Sequence, residues 1–219
     1  MRHHQKSEIR NKSKLGETMT VLVGRNAPDF TAPAVLANGE IVNELIFSKI
    51  SKAKYSVLFF YPADFTFVCP SELLSLDHRI SKFRERDVEV IGVSVDSHFT
   101  HNAWRNTEIV SGGIGAIGFS LVADMNHKIC RSYGVETPDG NVAYRASFLI
   151  DRQGIVRHQV VNDLPLGRDI DEMLRMVDAL LFHEKYGEVC PAGWNAGDSG
   201  MKATPDGVAK YLEEHGNEL

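Results

Sequence analysis

Residues 57–70 read Val57-Leu58-Phe59-Phe60-Tyr61-Pro62-Ala63-Asp64-Phe65-Thr66-Phe67-Val68-Cys69-Pro70, and the fold turns on how this stretch is parsed. Val57 to Tyr61 is an unbroken β-favouring run without polar alternation, which predicts a strand covered on both faces. Pro62 ends it. From Pro70 the apolar residues Leu73, Leu74, Leu76, Ile80 and Phe83 recur at helical spacing, and a proline suits the first turn of a helix. A central strand therefore hands over to a helix, with Cys69 at the junction. Val88 to Val95 is a second buried strand, reached through a helix and so predicted to run parallel to the first.

Outward from this unit, Ala27-Pro28-Asp29-Phe30 and Asn38-Gly39 punctuate the chain as loop and hairpin turn. Phe99 to about Ile109 reads as helix, Phe119 to Val122 as a short strand and Asn126 to Tyr133 as a second helical stretch. Arg145 to Ile150 and Ile155 to Val161 flank Asp151-Arg152-Gln153-Gly154, the pattern of an antiparallel hairpin. Asp169 to His183 places Ile170, Met173, Leu174, Val177, Leu180 and Leu181 on one helical face, with acidic residues in the first turn. Helices interleaved with strands, and a hairpin at one edge, predict a three-layer α/β sandwich. Residues 1–20 read as a flexible tail, with an organelle-targeting peptide as the alternative. Residues 21–186 read as the main domain. Residues 187–219, rich in Gly, Pro and Asp, read as a carboxy-terminal arm and not as a second domain.

The composition bounds the function. The chain has 219 residues, 24 Lys and Arg against 29 Asp and Glu, and 43% apolar residues, the profile of a soluble globular protein long enough to need no disulfide or metal staple. A net charge of −5, with no basic stripe, argues against nucleic acid as a partner. No apolar run approaches the length of a membrane span. With no apolar stretch of signal-peptide length, the expected location is the cytoplasm, where cysteines are more often catalytic than structural.

Cys69 is the strongest chemical candidate. The first amides of a helix have no internal partner and the helix dipole favours an anion there, so the position suits a thiolate. Thr66, three residues earlier, can turn its hydroxyl toward the sulfur or toward a substrate oxygen. Cys130 reads as a buried packing residue. The nine histidines show no metal spacing: His3-His4 belongs to the tail, and His98 with His101 reads as a solvated helix start, so neither a metal nor a cofactor is implied. Gly113-Ile114-Gly115-Ala116-Ile117-Gly118 is literally G-x-G-x-x-G, but a predicted helix precedes it and a strand follows, the reverse of the dinucleotide-binding context.

Pro62, Thr66 and Cys69 reproduce the Pro-x-x-x-Thr-x-x-Cys motif of the peroxiredoxins, and Phe65-Thr66-Phe67-Val68-Cys69-Pro70 resembles the typical two-cysteine branch that includes the alkyl hydroperoxide reductase C subunits. The resemblance runs from about Val23 to Lys202 and includes Arg145-Ala146-Ser147-Phe148, Leu164-Pro165-Leu166-Gly167-Arg168 and Val189-Cys190-Pro191-Ala192-Gly193-Trp194. It implies a thioredoxin-like fold and a thiol peroxidase acting on hydrogen peroxide and small organic hydroperoxides. Cys69 would attack the peroxide and become a sulfenic acid. Cys190 of a partner subunit would resolve it to a disulfide, and Arg145 would be the active-site arginine, with Pro62 and Thr66 completing the catalytic set. Glu72, one turn after Cys69, is placed behind these residues, and Arg168 is left to reach Glu72 or sit on the surface. The implied partners are thioredoxin or a dedicated dithiol flavoprotein reductase, and the implied assembly is a homodimer that builds a decamer. Gly112-Gly113-Ile114-Gly115 resembles the family's Gly-Gly-Leu-Gly loop linked to overoxidation, while Tyr211-Leu212 stands where a Tyr-Phe pair would complete it. Two rival readings are a disulfide oxidoreductase, which would be expected to carry Cys-x-x-Cys where this chain has Cys69-Pro70-Ser71-Glu72, and a ring-forming holdase or redox relay on the same scaffold.

Overall fold

A computed structural model describes residues 21–217, so the tail read from residues 1–20 lies outside the described residues. The run around Phe59 becomes β3 (Tyr55–Phe60), every residue of which is buried. It lies between parallel β4 (Val88–Ser94) and antiparallel β6 (Arg145–Ile150). With β1 (Thr31–Val35), β2 (Ile41–Ile46), β5 (Ser120–Ala123) and β7 (Val156–Asn162), the sheet has the order β2-β1-β5-β4-β3-β6-β7. The predicted hairpin is β6–β7 at one edge, and a second hairpin, β1–β2, forms the other.

Period-two alternation along β3 sends its side chains into two cores. Val57, Phe59 and Tyr61 point to one face with Leu73, Leu76, Phe83, Trp104 and Val177. These come from α2 (Cys69–Asp77), α3 (Ile80–Glu85), α4 (His98–Arg105) and α6 (Ile170–Tyr186). Leu58 and Phe60 point to the other face with Phe47 of α1 (Phe47–Ile50) and Ile129 and Cys130 of α5 (Lys128–Ser132). The result is a three-layer, thioredoxin-like α/β sandwich. The periodic pattern from Leu73 to Phe83, read as one helix, is two. Arg79 has φ −111° and ψ 3° between them, and its guanidinium turns back onto the Ser75 carbonyl and across to Asp171.

The glycine-rich stretch lies between a short 3-10 turn (Ile109–Ser111) and β5, and it opens no helix. Gly113 is required there for space, because a Cβ would come within 1.9 Å of the Thr107 carbonyl oxygen. After α6, Val189 and Met201 pair as an isolated bridge, and the chain ends in α7 (Pro205–His215), which the sequence reading of an extended arm did not resolve as a helix. Among the described residues no helix is long and apolar enough to cross a membrane.

Candidate active site

The loop from β3 to α2 is fixed before it reaches the thiol. Phe65 adopts φ 52°, a left-handed conformation that a bulky side chain holds only when its surroundings over-determine it. Asp64 supplies that constraint. Its amide donates to Asp96 Oδ2 at 2.8 Å, its Oδ1 accepts from the Tyr61 hydroxyl at 2.8 Å, and its Oδ2 lies 2.7 Å from His101 Nδ1. Burial pushes the Asp64 carboxyl up, against the pull of His101. The reading of His98 and His101 as a solvated helix start is thereby corrected. Both are buried: His101 lies against Asp64 of the loop, and His98 stands one turn earlier on α4, just after the Ser97 cap.

Cys69 is the first residue of α2 and is fully buried. Arg145, at the start of β6 and also buried, places Nη1 3.3 Å from Cys69 Sγ and 2.9 Å from Glu72 Oε2. Its Nε donates to the Leu164 carbonyl at 2.6 Å. Glu72 lies one turn along α2, so the thiol and the carboxylate share a helix face. Glu72, placed behind the catalytic residues in the sequence, accepts from Arg145 here.

Arg168, left open by the sequence, lies inside the site. Its amide and Nε donate to Glu72 Oε1 at 2.8 and 2.9 Å, and its Nη2 donates to Oε2 at 3.0 Å. Nη1 is held by the Ala146 carbonyl and the Ser147 hydroxyl, and the guanidinium lies over the Phe59 ring, 3.3 Å from its centroid. Its side chain is only 3% exposed. Burial alone would raise the Glu72 carboxyl, but the hydrogen bonds and charge of Arg168, with the charge of Arg145, outweigh it and hold the group below its ordinary value. Two guanidinium groups around one carboxylate leave a net positive chamber beside the sulfur, which favours negative charge that develops near it.

The remaining candidates fall in different places. Pro62 is buried at the end of β3. The Thr66 hydroxyl donates to the Ala63 carbonyl at 2.7 Å and not to the sulfur, which leaves its oxygen as an acceptor. Cys190 is not part of this cluster. It follows α6, contacts the Ala179 carbonyl at 3.4 Å and lines a small cavity with Leu149, His158, Met176 and Leu180. Burial pushes its thiol up. Tyr211 of α7 lines a cavity with Phe182 and Tyr186 of α6. Arg168 is the residue that the sequence left outside the catalytic set, with contact to Glu72 as one of two open readings, and its signal was the segment Leu164-Pro165-Leu166-Gly167-Arg168 quoted for the resemblance.

Comparison with known proteins agrees with this geometry. Residues 23–159 match the AhpC/TSA family, and residues 179–214 match the C-terminal domain of 1-Cys peroxiredoxin, a segment that in this chain carries Cys190. The chain is 55% identical over 194 residues to alkyl hydroperoxide reductase C of Buchnera aphidicola subsp. Schizaphis graminum, covering 89% of this chain and 98% of that protein. It is 53% identical over 199 residues to alkyl hydroperoxide reductase C of Helicobacter pylori strain 26695, covering 91% and 100%. Among solved structures, the reduced 2-Cys peroxiredoxin of Plasmodium vivax superimposes with a TM-score of 0.85 at 47% identity, covering 88% of this chain and 99% of that one. A buried cysteine at a helix start, held against an arginine in a thioredoxin-like sandwich, and relatives this similar over nearly their full length lead to one conclusion: the chain belongs to the AhpC/TSA family and is a peroxiredoxin, a thiol-dependent peroxidase.

Proposed function

We propose that Cys69 is the peroxidatic cysteine and that Arg145 and Arg168, clamped by Glu72, are the electrostatic part of the site. The observation that carries this reading is the 3.3 Å contact between Arg145 Nη1 and Cys69 Sγ, made by a guanidinium that also binds Glu72. The Cys69 thiolate attacks one oxygen of a hydroperoxide; the S–O bond forms as the O–O bond breaks, and the leaving alkoxide or hydroxide takes up a proton to depart as alcohol or water. A fixed guanidinium next to the sulfur stabilises charge on that leaving oxygen without ever giving up its own proton. Thr66, whose proton is committed to Ala63, receives the peroxide O–H as an acceptor. Pro62 is buried where β3 hands over to the loop that carries Thr66 and Cys69. Hydrogen peroxide and small organic hydroperoxides suit a thiol this deeply placed.

Resolution falls to Cys190 of the partner subunit. Its thiol attacks the Cys69 sulfenic acid, a disulfide forms and water leaves. Within one chain Cys190 is held against α6, away from the Cys69 cluster, which supports a resolving thiol supplied by a second copy. The open outer edge of β7 at the end of the sheet offers a place for that copy. Exposed Phe65 and Phe67 on the active-site loop support further assembly into a decamer. Thioredoxin or a dithiol flavoprotein reductase returns the electrons, and the cytoplasm is the compartment that supplies either. The holdase reading gains no support from the site.

Stopped-flow mixing of the reduced protein with hydrogen peroxide tests the core of this proposal. Rapid peroxide consumption that disappears in Cys69→Ser and persists for a single turnover in Cys190→Ser is expected. Consumption that survives Cys69→Ser overturns it.

A further inference from the structure

On the face of the sheet opposite α2, residues 124–136 bring together three side chains with no part in the peroxidase site. His127 sits at the entry to α5, Cys130 lies one turn further along, and Glu136 follows the turn at Gly134. A sulfur, an imidazole nitrogen and a carboxylate oxygen from these three all lie within 4.8 Å of one another. His127 Nδ1 and Glu136 Oε1 are 2.9 Å apart. Ligand atoms around a tetrahedral zinc ion, with bonds of about 2.0–2.3 Å, stand roughly 3.3–3.7 Å from each other, so the cluster brackets that spacing and needs adjustments of about an ångström or less.

The backbone holds the cluster in place from outside it. Asp124, buried at the end of β5, accepts the amide protons of Ile129 at 3.0 Å and Cys130 at 2.8 Å. His127 is kept at φ 59°, a conformation uncommon for a residue with a side chain. Cys130 is buried, whereas the side chains of His127 and Glu136 are each 19% exposed, so a cation can enter from solvent and still reach the sulfur.

We propose that His127, Cys130 and Glu136 form a binding site for a borderline divalent cation of the Zn²⁺ type, with one coordination position left open. A mixed nitrogen, sulfur and oxygen set selects such a cation over Mg²⁺ or Ca²⁺, which take oxygen ligands. Binding forms a metal–sulfur bond and releases the thiol proton to solvent, with no change of oxidation state. The carboxylate of Glu136 within the cluster, with that of Asp124 behind Cys130, attracts a cation. Arg131 is the competitor, because its Nε and Nη2 grip both oxygens of Glu136 at 2.8 and 2.9 Å.

That competition makes the proposal separable from accidental binding. In the full chain carrying Cys69→Ser and Cys190→Ser, Cys130 is the only thiol, because the sequence has three cysteines. Titration with Co²⁺ should produce a thiolate-to-metal charge-transfer band that saturates at one equivalent and is bleached by Zn²⁺. This readout is specific to sulfur and ignores the histidines of the first residues. The band should vanish in Cys130→Ser, and binding should weaken by about tenfold or more in His127→Gln and in Glu136→Gln. Arg131→Gln changes a side chain that is 56% exposed, leaves the fold intact and frees Glu136, so it should tighten binding several-fold. Absence of the band, a band indifferent to both His127→Gln and Glu136→Gln, or weaker binding in Arg131→Gln overturns the site.

Discussion

One guanidinium nitrogen of Arg145 sits 3.3 Å from the Cys69 sulfur, and that same nitrogen is 2.9 Å from Glu72 Oε2. The arginine is therefore aimed by its other contacts. Nε is fixed on the Leu164 carbonyl, so the plane of the group is set before any peroxide arrives, and preorganisation of this kind is what makes a fixed dipole or charge effective in catalysis. Lysine would keep the charge and lose the fork, with one ammonium unable to reach the carbonyl, the carboxylate and the sulfur together. Arg145→Lys should lower the second-order rate of peroxide reduction by about tenfold or more. An unchanged rate in stopped-flow would make Arg145 a structural charge only.

Glu72 is the hinge of the electrostatics, since it is bound by both Arg145 and Arg168 with a side chain only 2% exposed. Removing one partner of a buried, hydrogen-bonded charge cluster costs about 3–5 kcal/mol, so Glu72→Gln should be markedly less stable at neutral pH and slower toward peroxide. The pH dependence has a defined sign. Its folded-state carboxyl is held below the ordinary value, so its contribution is present above the unfolded value of about 4.3 and is lost as pH falls through the lower folded value. The stability gap between wild type and Glu72→Gln, measured by urea midpoints, should therefore narrow on acidification below about pH 4. A gap that stays constant to pH 3 would show that Glu72 is not held ionised by its two arginines.

The strand at Val57–Tyr61, the helix start at Pro70 and the hairpin around Gly154 were legible because each is a local pattern: a continuous apolar run, a proline, a turn tetrad. What escaped the sequence is where separated segments meet. Arg168 contacts Glu72 across 96 residues; the sequence left that contact open against a surface position, because no spacing rule announces that a loop after β7 folds back to the first turn of α2. His101 failed for the same reason, because its partner Asp64 is 37 residues away and a histidine near a helix start reads as solvated until the loop above it is placed. His127, Cys130 and Glu136 are close in sequence, yet their spacing matches no common metal motif, and a lone cysteine in an apolar helical stretch reads as packing. Thr66 shows a finer limit, in that the sequence offered a hydroxyl without saying which way its proton points.

The loop that carries the site also carries its most exposed aromatic residue. Phe67 is 99% exposed, and Phe65, Phe99, Ile109 and Val110 are exposed around it and on α4 and the turn that follows. Side chains of this size left in water favour burial at an interface. Light scattering of the reduced protein should give about ten times the 24.4 kDa chain mass, and Phe67→Asp should reduce it to about two chains by burying a charge where an apolar contact is needed. A reduced wild type no larger than a dimer at micromolar concentration would refute the ring.

Cys69 is fully buried in the first turn of α2, and Cys190 rests on the Ala179 carbonyl of α6. A disulfide needs its two Cα atoms within about 7 Å, and an intersubunit bond to a sulfur buried in the first turn of α2 calls for that turn to open and for the segment around Cys190 to leave its cavity. That turn is weakly closed: Val68 offers no side-chain cap, and the Glu72 amide reaches the Val68 carbonyl at 3.3 Å, the long end of the range for such bonds. Oxidation by one equivalent of peroxide should give a covalent dimer on non-reducing gels, absent in Cys190→Ser and retained in Cys130→Ser. Because opening exposes the site, the same oxidation should also make the chain more susceptible to limited proteolysis near residues 62–70 and should loosen the proposed assembly through Phe65 and Phe67. A wild-type protein that stays monomeric on such gels, or whose loop is equally resistant before and after oxidation, would exclude an intersubunit disulfide formed by unwinding α2.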